Sequence, residues 1–137
     1  YLITEADTVV IDLGTATTFD VVSKNKEYLG GSIAPGIKIS LDALTLKTAS
    51  LKSVELDTPN KVIGKNTYEA IQSGLIMGHA SMIDSMVEKI ILEIDIEPKI
   101  ILTGGLSKVV QPILNVNVEY IENLTLVGLE EIFKLNN

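Results

Sequence analysis

TVVIDLGTATTFDVVS, residues 8–23, decides what kind of sheet this chain builds. TVVIDLG is the continuous apolar run of a buried strand, and TTFDVVS alternates apolar and polar residues as a half-buried strand does. Only Gly14 and its neighbours separate them. That is too little chain for the crossover a parallel pair requires, so the spacing predicts a tight antiparallel hairpin. KNKE, residues 24–27, supplies the next polar turn, and YLGGSIA, residues 28–34, a third strand, which completes a three-stranded antiparallel meander. Pro35 and Gly36 then break the sheet.

The remainder alternates helices and strands. IKISLDALTLKT, residues 37–48, has Ile37, Leu41, Leu44 and Leu46 near helical spacing, and residues 49–65 read as loop with one or two short strands. From Asn66 to about Glu93 the period is helical, with Ile71, Leu75, Met82, Met86 and Ile90 recurring. Asn66 caps this helix, Glu69 reaches back as in a capping box, and Pro98 forbids continuation beyond the far end. KIILTGG, residues 99–105, reads as a buried strand entering a glycine turn. A short helix at 106–111, a strand at 116–121 and a last helix at 126–136 follow. The order is that of an α/β domain with a mixed sheet and flanking helices. Nothing repeats and no linker interrupts it, so residues 1–137 read as a single domain.

Composition removes several functions. With no cysteine there is no thiol chemistry and no disulfide scaffold, which fits a reducing cytoplasm. A net charge of −7 without a basic run has the same sign as a phosphate backbone and argues against a nucleic-acid ligand. No apolar run reaches the ~18 residues of a membrane span, and YLITEADT lacks the charged and apolar parts of a signal peptide. The chain opens on Tyr1 and not on methionine, which reads as a piece of something longer.

The hairpin is also the candidate site. Gly14 lets a backbone approach a ligand, Thr15, Thr17 and Thr18 offer hydroxyls to phosphate oxygens, and the carboxylate of Asp12 can hold a neutralising cation. An ordinary hairpin with strand-favouring threonines explains the same residues equally well. The lysine-bearing G-x-x-x-x-G-K-[ST] loop is missing, so any phosphate is held another way. Gly104 and Gly105 follow a strand at its carboxyl end, where open α/β sheets present ligands, although a plain strand-to-helix turn also accounts for them. Two such turns in one chain favour a nucleotide over either turn alone. Thr67 opens the long helix, whose N-terminal amides suit an anion; capping alone explains Asn66. Ala70, Gly74 and Gly78 form a smooth stripe that implies close packing, from within the fold or from a second subunit. His79 reads as a partly buried helix residue and not a metal ligand, and Asp42 and Asp84 as solvated carboxylates.

DLGTATTFDVV, YLGGSIAPGIKIS, IGKNTYEAIQSGLIMG, IILTGGLS and NLTLVGLEEIF, in this order from about Thr8 onward, resemble the type III pantothenate kinases of the acetate kinase, sugar kinase, Hsp70 and actin superfamily. The resemblance implies a ribonuclease H-like half-domain, with an ATP cleft, of an enzyme that phosphorylates pantothenate at the first step of coenzyme A synthesis. It makes Asp12 the ligand of a monovalent cation, potassium or ammonium, and Gly14, Thr15, Thr17 and Thr18 the holders of ATP phosphates with Mg2+. It puts Gly104 and Gly105 by the adenosine and Thr67 on pantothenate. It also implies a homodimer, with the Ala70, Gly74 and Gly78 stripe as a face for the second subunit. The family's D-x-G-N-T loop and its G-x-D-R motif, which carries the catalytic base, are missing here. The proline that follows T-A-x-L is replaced by Lys52, after Thr48, Ala49, Ser50 and Leu51. The chain therefore resembles the carboxyl-terminal half of such an enzyme, with no catalytic base of its own. Two rivals stand beside this reading: a non-catalytic nucleotide-binding regulator like an accessory transcription factor, and another kinase or acetate-transferring enzyme of the superfamily.

Overall fold

A computed structural model describes residues 3–46 and 54–136. The T-A-x-L segment and its departure at Lys52 lie outside the described residues. The meander forms as expected, from β1 (Thr8–Leu13), β2 (Ala16–Val22) and β3 (Tyr28–Pro35). After α1 (Ile37–Thr45) and α2 (Thr67–Ile94), β4 (Lys99–Thr103) lies parallel to β1. The helices provide the long crossover that a parallel pair demands. A short helix α3 (Ser107–Val110), a 3-10 turn (Gln111–Ile113), β5 (Glu119–Tyr120) and α4 (Leu124–Leu135) complete the chain. The sheet order is β3-β2-β1-β4-β5, with β5 parallel to β4. This is the mixed α/β sheet expected, with its meander at one side.

Alternation along the strands sorts the sheet into two faces. Val9, Ile11 and Leu13 of β1, Phe19 and Val21 of β2 and Leu102 of β4 are buried against Leu75, Ile76, Ala80, Ile83 and Val87 of α2. Each fully buried aliphatic side chain among them contributes roughly 1.5–3 kcal/mol. The opposite face carries Val10, Asp12, Thr18 and Asp20, which pair across the hairpin as Asp12 with Thr18 and Val10 with Asp20.

Several expectations change. Ile71, Leu75, Met86 and Ile90 belong to or pack on the core, but Met82 does not, and the expected period misses Ile76, Ala80, Ile83 and Val87. Alpha-helix α2 is apolar on more than one side, so its spacing alone does not select the face that meets the sheet. Ile37 and Leu41 of α1 reach the core, whereas Leu44 and Leu46 are exposed. No strand forms within residues 54–65. Side chains secure that loop instead: Gln72 Nε2 donates to the Glu55 carbonyl at 3.0 Å, and Ser73 Oγ to the Val62 carbonyl and Thr58 Oγ1 to the Val109 carbonyl, both at 2.6 Å. The strand expected over 116–121 shrinks to Glu119–Tyr120, because Val116 and Val118 turn to pack on the core. Asp84, expected to be solvated, accepts from the amides of Asn115 and Val116 at 3.0 Å and from Asn115 Nδ2 at 2.7 Å, pinning that loop to α2. Asp42 is exposed, as expected. Among the described residues no helix is long and apolar enough to cross a membrane.

The start of α2 is fixed by its cap. The Glu69 amide donates to Asn66 Oδ1 at 2.9 Å, and the Glu69 carboxylate accepts from Asn66 Nδ2 at 2.9 Å and from the Lys65 amide at 2.7 Å. The reciprocal arm of the box thus reaches one residue earlier than the cap's own amide. Replacing Asn66 by alanine is expected to lower stability by about 1 kcal/mol. Urea unfolding of the two proteins measures it, and an unchanged midpoint would show that water replaces the cap at no cost.

Candidate nucleotide site

The parallel pairing of β1 and β4 brings their carboxyl ends side by side, with Asp12 opposite Thr103. Two turns leave the sheet there. Gly14 and Thr15 join β1 to β2, and Gly104, at φ +100°, follows β4. A Cβ on Gly104 would lie 2.5 Å from Asp12 Oδ1 and 2.6 Å from the backbone of Leu13, while one on Gly14 would lie 3.4 Å from the same carboxylate oxygen. The Asp12 carboxylate is therefore flanked by two glycine turns that leave it room for no more than backbone.

A third segment closes on the same place. A Cβ on Gly36 would collide with the Thr15 carbonyl oxygen and lie 2.7 Å from that of Gly14. Gly36 is thus a site-shaping residue that the sequence reading misses. Its signal is the Pro35-Gly36 pair, read there only as a sheet breaker. Gly105, by contrast, is exposed and its α-carbon faces open space.

Asp12 is partly buried, and this desolvation pushes its carboxyl above the ordinary carboxylate range, with the charge of Asp20 adding to the rise. Asp20 is fixed by two hydroxyls, from Thr18 Oγ1 and Tyr28 OH, each donating at 3.0 Å. Two carboxylates on one sheet face raise each other's cost of ionisation, which a nearby positive charge would offset.

The three threonines separate. Thr15 is exposed at the turn. Thr18 shares the face of Asp12, its hydroxyl already given to Asp20. Thr17 points the other way: it is fully buried beside Phe19 and Val21, and its hydroxyl has no hydrogen-bond partner. Adjacent residues of a strand face opposite sides, so hydroxyls at 17 and 18 cannot serve one pocket together. Any contact from Thr17 to a phosphate in the cleft is through its backbone.

Thr67 is exposed at the first position of α2. His79 of the same helix lies at the end of β3, so at 1.5 Å per residue Thr67 stands about 18 Å further along the axis and does not touch the turn. A cleft of about 540 Å³ opens next to this helix start, lined by Asp57, Lys61, Lys65, Glu69 and Gln72 among others. The faces of Ala70, Gly74 and Gly78 are exposed, and a Cβ on either glycine would meet nothing. Packing within the described residues therefore does not explain the stripe. Both ring nitrogens of His79 lie by backbone carbonyls, Nδ1 2.9 Å from that of Leu75 and Nε2 3.1 Å from that of Pro35, and the nitrogen that carries the proton donates to its neighbour. No cluster of three or more histidine or acidic side chains able to hold a metal exists among the described residues.

A five-stranded sheet with a meander, two parallel strands beyond it and glycine turns meeting at its carboxyl edge defines a ribonuclease H-like half-domain of the actin-like ATPases. The family model for type III pantothenate kinase matches residues 1–89. This chain belongs to the type III pantothenate kinase family. It is 45% identical over 128 residues to a type III pantothenate kinase of Anaeromyxobacter sp. (strain K), covering 93% of this chain and 50% of the relative. The corresponding protein of Syntrophus aciditrophicus (strain SB) is 46% identical over 132 residues, with 96% and 52% covered. The chain spans about half the length of the curated relatives it matches. Among solved structures, a Baf family protein of Campylobacter jejuni, titled as a transcriptional activator, superposes with a TM-score of 0.66 at 25% identity, covering 95% of this chain and 58% of that one.

Proposed function

We propose that this chain is one half of an ATP-dependent pantothenate kinase, acting at the first step of coenzyme A synthesis in the cytoplasm. The observation that carries the reading is the desolvated Asp12 carboxylate between the Gly14 and Gly104 turns at the ends of two parallel strands. Phosphoryl transfer is mostly positioning and charge neutralisation, and this arrangement offers both. Asp12 holds the monovalent cation, potassium or ammonium, which suits a donor set of carboxylate and backbone oxygens. That cation, with Mg2+ on the nucleotide, supplies positive charge opposite the phosphates. The Gly14 and Thr15 turn, together with Thr18 and the backbone at Thr17, borders the phosphates; Gly104 and Gly105 border the adenosine. Thr67 contacts pantothenate beside the cleft at the start of α2. An upstream half contributes the base that takes the hydroxyl proton. The exposed Ala70, Gly74 and Gly78 face admits the backbone of a second copy, as a homodimer requires.

The regulator reading has the Campylobacter protein in its favour, but the relatives sharing nearly half of the sequence are named as kinases. Release of ADP in the presence of pantothenate separates the two. Turnover is expected from this chain joined to its upstream half, and negligible turnover from this chain alone. An intact pair that releases no ADP ends the kinase reading.

A further inference from the structure

The Gly14–Thr15 turn has its one side chain, that of Thr15, exposed, and the residue packed on its carbonyls is itself a glycine. Gly36 touches the Thr15 and Gly14 carbonyls so closely that nothing larger fits. Gly36 is in turn the residue after Pro35, whose carbonyl lies 3.1 Å from Nε2 of His79. His79 stands on α2, a helix anchored to the sheet by the buried Ile76, Ala80 and Ile83 on either side of it. An unbroken chain of contacts thus runs from the core helix through one imidazole to the turn.

We propose that His79 is a positioning residue: by donating from Nε2 to the Pro35 carbonyl it holds Gly36 against the Gly14–Thr15 turn and sets where that turn stands beside Asp12. For ATP the consequence rests on the function proposed above, since it matters only if phosphates sit at this turn. A glycine turn that can drift binds phosphate oxygens less well, because its amides must be ordered at the moment of binding. His79 touches no substrate in this scheme and acts through Pro35 and Gly36.

The ring has two nitrogens on two carbonyls, which makes the test specific. Glutamine places an N–H donor near the position of Nε2 and keeps the bond to Pro35. Asparagine places one near Nδ1, within reach of Leu75 only, and leucine keeps bulk with no donor. Amide hydrogen exchange over residues 14–18 of His79→Gln, His79→Asn and His79→Leu reads the turn directly. Exchange is expected to accelerate severalfold in the asparagine and leucine variants and to match the parent in the glutamine variant. In the two-half enzyme the KM for ATP is expected to rise roughly three- to tenfold in the first two, as for one lost hydrogen bond. The KM for pantothenate stays within about twofold, and His79→Gln restores the parent value.

Three variants with the same exchange rates over 14–18 would overturn the strut, whatever ATP does. Faster exchange with an unmoved KM for ATP would keep the mechanical link but remove phosphate from this turn, a failure of the site assignment. A parallel rise of both KM values, with a lower unfolding midpoint, would mean a general loss of fold and would also sink the proposal.

Discussion

Asparagine at position 12 is expected to reduce kcat of the two-half enzyme by roughly 10²–10³, the order seen when one preorganised charge-stabilising group is lost from an active site. The same change is expected to make the protein more stable near neutral pH. The sign follows from the direction of the Asp12 shift. Its folded carboxyl titrates above the ordinary aspartate value because burial, and then Asp20, penalise the charged form. A raised folded value means that stability is fully present below the unfolded value and is lost as pH rises through the folded one. Ionised Asp12 is therefore a burden on the fold at pH 7, one that the proposed cation would offset. Urea midpoints at pH 7 and pH 3 measure this for both proteins: Asp12→Asn should exceed the parent at pH 7, with the advantage gone at pH 3. An active Asp12→Asn enzyme, or one less stable at pH 7, contradicts the assignment.

Alanine at position 104 carries the second large effect. Its Cβ would enter the space between Asp12 Oδ1 and the Leu13 backbone, and its φ of +100° lies where L side chains are strained. Backbone strain and overpacking each cost about 1–3 kcal/mol, so a combined loss on the order of 3 kcal/mol is expected. Gly105→Ala is the control, since its Cβ meets nothing within 4 Å; its stability should change by no more than about 0.5 kcal/mol. Equal effects at 104 and 105 would mean that β1 and β4 do not meet as closely as described. Adenosine affinity, measured on whichever variant stays folded, then reports on the turn itself.

The hairpin was legible because its evidence is local. Two strand patterns with only a glycine turn between them admit one pairing, and the asparagine cap with Glu69 marks a helix start within four residues. The shortened β5 and the helix-bound Asp84 were not legible, because both depend on what α2 presents to residues 115–118, more than thirty positions distant. Thr17 shows the limit inside a motif: a row of threonines is one feature in the sequence, but two opposite faces in a strand. Gly36 shows the converse. A residue read as punctuation becomes part of the site once β3 ends beside the turn it packs on.

The sequence by itself determined the meander, the long capped helix and the position of the acidic residue at a strand end, since each rests on neighbours within a turn or a strand, and it determined the family through the order of five motifs along the chain. Only the tertiary structure decided which side of α2 enters the core, that Asp12 and Gly104 touch, and that His79 reaches Pro35. The His79–Pro35 and Gly104–Asp12 contacts join residues 44 and 92 positions apart, and their geometry is set by the packing of a sheet on a helix, which no local pattern encodes.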